Sequence, residues 1–318
     1  MFDDLDDDDI AALTARACDP DPGIRRVAML ALAEVDAPGA AELLITGLGD
    51  PDVAVRETAA RALDEHHGLA ASQALVEALK DPANSVRQIA ADILADRRDT
   101  GVGPALIEGV THADPFVRAA SLRGLRELVL PQARSAILAA LRDPVMTVRQ
   151  EAVGALGYLK DDTTLPALLP LAKDPEPAVR HAVMSSLVFM RSGDPGVATL
   201  IAGLQDVHWQ VREEAAFAIG KARLSEGEAA LSAAMADPVW QVRVKAASAL
   251  GKVGGSAAVP ALGGALEHEI SNLRKEAAAA LGEIGDQAGL PWLQRAANDP
   301  DPDVRKLIQW AMERCKAA

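Results

Sequence analysis

The sequence predicts an all-α fold: a right-handed α-solenoid of about ten tandem two-helix repeats, running through residues 1–318 as a single domain. Three observations predict it. One phrase recurs along the chain: Asp-Pro, three residues, Val-Arg, then an Ala-rich stretch ending in Leu-Gly. The arginines of that phrase, Arg25, Arg56, Arg87, Arg118, Arg149, Arg180, Arg212, Arg243, Arg274 and Arg305, are 31 residues apart, except for a 32-residue step between Arg180 and Arg212. Aromatic residues are only 3% of a chain that is 49% hydrophobic, a composition suited to close helix packing rather than to a sheet.

Within each repeat the second helix is the better defined. The residue before each arginine is apolar: Ile24, Val55, Val86, Val117, Val148, Val179, Val211, Val242, Leu273 or Val304. Seven residues after it stands Leu32, Leu63, Leu94, Leu125, Leu156, Leu187, Ile219, Leu250, Leu281 or Met312. Between them, three after the arginine, is Ala in most repeats, with Ser121, Val183 and Ile308 as exceptions. Steps of four residues put the three columns on one helix face, and the small middle residue lets a neighbouring helix come close.

Six residues before the arginine stands Asp19, Asp50, Asp81, Asp143, Asp174, Asp206, Asp237 or Asp299, followed by Pro in seven of the eight. That pair reads as an N-cap with Pro in the first turn. His112 and His268 occupy the column elsewhere, and Asp114-Pro115 predicts a cap shifted by two residues. A shorter apolar helix precedes each cap, as over 70–79, 105–110, 135–141 and 257–266. Gly157, Gly220, Gly251, Gly254 and Gly282 read as helix ends. The extra residue before Arg212 predicts an enlarged turn around Ser192–Gly196. The acidic N-terminus, about residues 1–10 and including Asp3–Asp9, and the polar Glu313–Lys316 stretch are expected to cap the ends of the stack.

The phrase Asp-Pro-x-x-x-Val-Arg-x-x-Ala-Ala-x-Ala-Leu-Gly, matched closely by Asp237–Gly251 and nearly by Asp143–Gly157, resembles the short HEAT repeats first named for phycobilisome lyases. The resemblance covers the whole chain. It implies the solenoid fold and a range of roles, from scaffolds and assembly factors to chromophore lyases and deoxyhypusine hydroxylase, and so licenses no activity by itself.

The chemistry-bearing residues favour binding over catalysis. With 46 acidic against 32 basic residues the net charge is −14, which repels phosphate backbones and favours a protein partner with a basic or mixed-charge surface over nucleic acid. No apolar run reaches the ~18 residues of a membrane span, and the N-terminal run lacks the basic and apolar regions of a signal peptide, so a cytoplasmic location is expected. Cys18 and Cys315, near opposite ends, suggest no disulfide. No nucleophile or phosphate-loop motif appears. Of the histidines, His66, His67, His112, His181, His208 and His268, only His268 precedes a Glu, and none sits at metal-ligand spacing from a partner, so no metal or other cofactor is expected.

Two sets of residues remain. Arg56, Arg87, Arg118, Arg149, Arg180, Arg212, Arg243 and Arg274 read as a structural ladder, each arginine bridging to a carboxylate of a capping loop in its own or the next repeat. The aromatic residues concentrate in four positions between Phe189 and Trp240. Trp209 and Trp240 share one repeat position, three before the arginine, and Met146 holds it two repeats earlier. That position is about 200° from the core column and faces away from it. With Gln210, Glu213 and Phe217, and with Gln241 and Val244, the two indoles would form a partner-binding ladder, its rungs ~10 Å apart. The alternative is that each indole is a lid on the neighbouring loop. At the level of function the leading reading is a protein-interaction scaffold or assembly factor without enzymatic activity. The alternative is a cofactor-handling protein, such as a bilin lyase subunit or a maturation chaperone for a metalloenzyme.

Overall fold

The computed structural model describes residues 7–35 and 39–317, and among these no residue is in a strand. The acidic run expected as a cap lies outside the described residues up to position 6. The chain divides into two compact units, residues 1–159 and 160–318.

Unit one holds α1 (Asp7–Ala17), α2 (Pro22–Ala33), α3 (Ala40–Gly47), α4 (Val53–Ala62), α5 (Leu69–Ala78), α6 (Asn84–Asp96), α7 (Gly103–Gly109), α8 (Pro115–Leu128), α9 (Arg134–Ala140) and α10 (Met146–Leu159). Unit two holds α11 (Leu165–Leu168), α12 (Pro177–Ser186), α13 (Gly196–Gly203), α14 (Trp209–Ala222), α15 (Glu228–Ala234), α16 (Trp240–Val253), α17 (Val259–Ala265), α18 (Ser271–Ile284), α19 (Leu290–Arg295) and α20 (Pro302–Ala317). Short 3-10 turns precede several odd-numbered helices, as at Thr100–Val102 and Gln287–Gly289, each started by an aspartate (Asp99, Asp286) that accepts the amide two residues on. Odd and even helices alternate as the first and second members of each pair. In each unit every even helix packs on the next even one, and each is also packed by the odd helix of its own pair, except α12, which is packed by the 3-10 stretch Leu169–Lys173 that follows α11. Each unit is thus a stack of helix pairs, which is the solenoid arrangement. A lone pair could not bury its apolar face, whereas a stack makes one core.

The core columns are where the periodicity puts them. Val55, Val86, Val117, Val148, Val179, Val211, Val242, Leu273 and Val304 are buried, as is every leucine of the second column from Leu32 to Leu281. Each such side chain contributes roughly 1.5–3 kcal/mol of apolar burial. Ile24 departs from the expectation and is exposed, because α2 belongs to the first pair and has a neighbouring stack on one side only.

Two local expectations need correction. The aspartate six before each arginine is not the N-cap. The caps lie two residues later, at Asp21, Asp52 and Asp114, whose carboxylates accept the amides of Gly23, Ala54 and Phe116. Asp114 therefore marks no shifted cap; it occupies the ordinary cap column. The earlier aspartate closes the turn before the helix, as Asp50 Oδ1 does by accepting the Asp52 amide at 2.8 Å. Asp-Pro carries the same letters in both roles, so position relative to the core face has to decide.

The glycines depart from the expectation for a similar reason. Gly157, Gly220, Gly251 and Gly282 lie inside α10, α14, α16 and α18. At Gly220 a Cβ would sit 2.7 Å from Ala249 Cα, and at Gly251 it would sit 2.8 Å from Ala280 Cα. These positions are bare because the next helix's backbone occupies the space. Only Gly254 ends a helix as expected; it and Gly285 take left-handed conformations at φ 81° and 72°. The extra residue before Arg212 accompanies a shortened α12, which stops at Ser186, and a turn in which Gly193 adopts φ 84°.

Candidate functional site

The arginine column builds a repeated clamp. Arg212 illustrates it. Its Nε and Nη2 donate to Asp237 Oδ2 and Oδ1 at 2.6 and 2.9 Å, while Nη1 donates back to Asp206 O at 2.8 Å. Asp237 Oδ1 also accepts the Val239 amide at 2.8 Å. One guanidinium thus ties its own turn to the turn of the next repeat, using the planar fork that only arginine has. Within each unit the same bidentate bond joins Arg25 to Asp50, Arg56 to Asp81, Arg118 to Asp143, Arg180 to Asp206 and Arg274 to Asp299. Arg149 makes the backward bonds, to Asp143 O and Pro144 O.

The carboxylates respond to this setting. Hydrogen bonds from Arg274 hold Asp299 below the ordinary carboxylate value, against the opposing pull of burial. For Asp237 burial is the largest single influence and works against ionisation, yet the Arg212 hydrogen bond and charge and the Val239 amide outweigh it, and the net shift is again downward.

Two rungs lack the carboxylate. His112 and His268 use Nδ1 to accept the amides of Asp114 and Ile270, reproducing the turn. Arg87 then reaches instead to Asp114 Oδ2 at 2.7 Å and stacks over Phe116, and Arg243 Nη2 faces His268 Nε2 at 3.2 Å. In both arginines Nε is buried without an acceptor. Three of the other histidines also have local work: His66 Nε2 lies 3.0 Å from Leu32 O, His181 lies 3.7 Å from Glu214, and His208 Nδ1 lies 2.9 Å from Gln210 Oε1. Among the described residues no group of three or more His, Cys, Asp or Glu side chains could hold a metal ion. Cys18 is exposed in unit one and Cys315 is buried in unit two.

The aromatic face lies in unit two. Trp209 and Trp240 are the first residues of α14 and α16, which pack against each other. Trp240 is 39% exposed and Trp209 is half-buried. Along α14 the same stripe continues through Glu213, half-buried, to Phe217, 38% exposed, and Lys245 of α16 lies over the Phe217 ring at 5.7 Å. Gln210 is exposed, while Gln241 and Val244 are half-buried. Met146 starts α10 in unit one and is half-buried there.

Sequence reasoning passed over Val207, which stands in the proline column next to the aromatic face and is 89% exposed. The signal was present, since Asp206 is the one aspartate of its column that Pro does not follow.

A model of HEAT repeats matches residues 10–95, 72–152, 135–220, 197–270 and 227–313. The chain is a HEAT-repeat protein. No curated protein matches it. Among solved structures, it is similar to a crystal structure of an engineered protein, with 21% identity over 96% of this chain and 98% of that one at a TM-score of 0.53. It is similar to the X-ray structure of YibA from Escherichia coli, with 20% identity over 81% and 96% and a TM-score of 0.63. A crystal structure of importin beta matches with 14% identity over 97% of this chain and 51% of that one, at a TM-score of 0.61. Identities this low show a shared fold. No helix among the described residues of this HEAT-repeat protein is long and apolar enough to cross a membrane.

Proposed function

We propose that this protein is an interaction scaffold or assembly factor that holds a partner protein on the outer face of α14 and α16, with Trp209 and Trp240 as anchors. HEAT repeats serve protein–protein binding in general, and the 31-residue repeats with their Asp-Pro turns favour the short, phycobilisome-lyase-like class. The observation that carries the reading is Trp240, a large aromatic side chain 39% exposed in register with a second indole on the adjacent helix. Leaving an indole in water costs apolar contact, and such residues mark binding hot spots. The flanking Gln210, Gln241, Glu213 and Lys245 give the apolar stripe a polar rim of both signs, the anatomy of an interface. A partner of mixed charge suits this rim and the acidic chain. The role is binding rather than catalysis.

The test is affinity capture of partners with the native protein and with a Trp209→Ala/Trp240→Ala variant. Each anchor of this kind is worth ~2 kcal/mol, about 30-fold in affinity, so a partner retained by the native chain should be lost from the double variant. Retention of the same partners by both would remove the site.

A further inference from the structure

Beyond the aromatic stripe, toward the C-terminal ends of α14, α16, α18 and α20, unit two opens a groove of about 610 Å³. Its walls carry Lys221, Arg223, Lys252 and Arg314, with Glu283 as the one acid and Trp310, 40% exposed, as the one aromatic residue. Four cations against one anion are gathered in a chain whose net charge is −14. Among the described residues none of the four forms an ion pair, although other basic residues of this unit, Arg212, Arg274 and Lys275, do. The repeat register explains the clustering. Lys221, Lys252 and Arg314 all stand nine residues after their repeat's arginine, one helical turn beyond the column that holds Phe217 and Trp310. The groove and the aromatic stripe therefore share one face. Gly220 and Gly251 also line it, at the points where α14 closes on α16 and α16 on α18.

Helix C-termini favour cations, and that accounts for part of the clustering. It does not account for Arg223, which ends α14 in a left-handed conformation at φ 54°. The next two repeats place Gly254 and Gly285 there. Val129 and Lys160 take the same conformation in the same column, so the backbone there is general to the repeat, and what is particular to Arg223 is a cation at the edge of the groove.

We infer that this groove binds an acidic peptide segment of the partner, with carboxylates on Lys221, Arg223, Lys252 and Arg314 and an apolar side chain against Trp310. This deepens the scaffold reading and rests on it. A short acidic segment needs only the local field, which acts within a Debye length of ~8–10 Å. A long polyanion such as nucleic acid would also meet the repulsion of the acidic remainder. The volume falls in the ~300–1,000 Å³ range of ligand sites, enough for a few side chains.

The test uses fluorescence polarisation with a labelled peptide of glutamates flanking a Leu-Trp pair, and its glutamine analogue as control. The native protein should bind the acidic peptide in preference to the analogue, and more weakly as salt is raised. Lys221→Gln/Lys252→Gln should weaken binding at least ~10-fold, because two charge-assisted contacts are lost. Glu283→Gln should tighten it, a gain that a misfolded variant could not produce. Equal affinity for both peptides, no binding at ~1 mM, loosening by Glu283→Gln, or tighter binding of a single-stranded oligonucleotide would each overturn the inference. The two claims fail separately. If partner capture depends on Trp209 and Trp240 but the peptide does not bind, the groove is wrong and the scaffold stands. If the peptide binds while capture ignores the tryptophans, the aromatic site is wrong.

Discussion

Two neighbouring rungs of unit two, Arg212 with Asp237 and Arg243 with His268, occupy the same column and close the same turn by different chemistry. Asp237 serves three donors: one carboxylate accepts both arms of Arg212 and the Val239 amide. A neutral imidazole has a single acceptor nitrogen, and at His268 that acceptor goes to the Ile270 amide, so Nε2 carries a proton toward Arg243. Arg243 keeps its backward bond to Asp237 O at 2.6 Å but leaves its buried Nε without an acceptor. The turn is thus the part of the rung that the repeat cannot do without. The inter-repeat ion pair is an addition that one repeat can lose.

The difference can be broken from either side. The largest effect is expected for Asp237→Ala, which uncaps the Val239 turn and strands the Arg212 guanidinium. We expect a loss of about 1–3 kcal/mol, read as a lowered melting temperature, with His268→Ala costing less than half as much. Equal losses would mean that the ion pair adds nothing beyond the turn. Next in size, His268→Asp should restore the missing acceptor to Arg243 Nε and raise stability by about 1 kcal/mol; a destabilised variant would show that the loop cannot reach the Asp237 geometry. A smaller effect concerns Val129, a β-branched residue held at φ 48° after α8, where other repeats place glycine. Val129→Gly should stabilise by a few tenths to about 1 kcal/mol through relief of that conformation, and a drop in melting temperature would contradict it.

The carboxylate rungs also set a pH dependence. Asp50, Asp143, Asp206, Asp237 and Asp299 all lie below the ordinary carboxylate value when folded. A depressed folded value means that the stabilisation is complete above the unfolded carboxylate range, about pH 4, and is lost as pH falls through the folded values. In salt sufficient to screen the net charge, the melting temperature should hold level down to about pH 5 and fall below about pH 4. A rise on acidification in that window would refute the ladder as a source of stability.

Much of this was legible in the sequence, because a 31-residue period writes the core ten times over. Val148, Ala152 and Leu156 could be assigned to one buried face from spacing alone, and all three are fully or almost fully buried. The arginine ladder was written there too, since the Arg recurs in all ten repeats and an Asp stands six before it in eight. What misled was chemistry with two structural meanings. Asp50 looked like an N-cap but closes the turn ahead of one, and Gly220 looked like a helix end but makes room for Ala249. The groove around Lys221 and Trp310 escaped notice because its residues come from separate repeats and the acidic total hides a local positive field. Its signal was present in Gly220-Lys221 and Gly251-Lys252, which share one column.

Turns and arginines hold the stack, and the α14–α16 face is the proposed site for the partner. The most direct test is the melting temperature of Trp209→Ala/Trp240→Ala beside that of Asp237→Ala. The account predicts that the double tryptophan variant keeps its helicity and shifts by less than half as much as Asp237→Ala. A shift as large as that of Asp237→Ala would make the two indoles lids on the fold and contradict their role as a binding face.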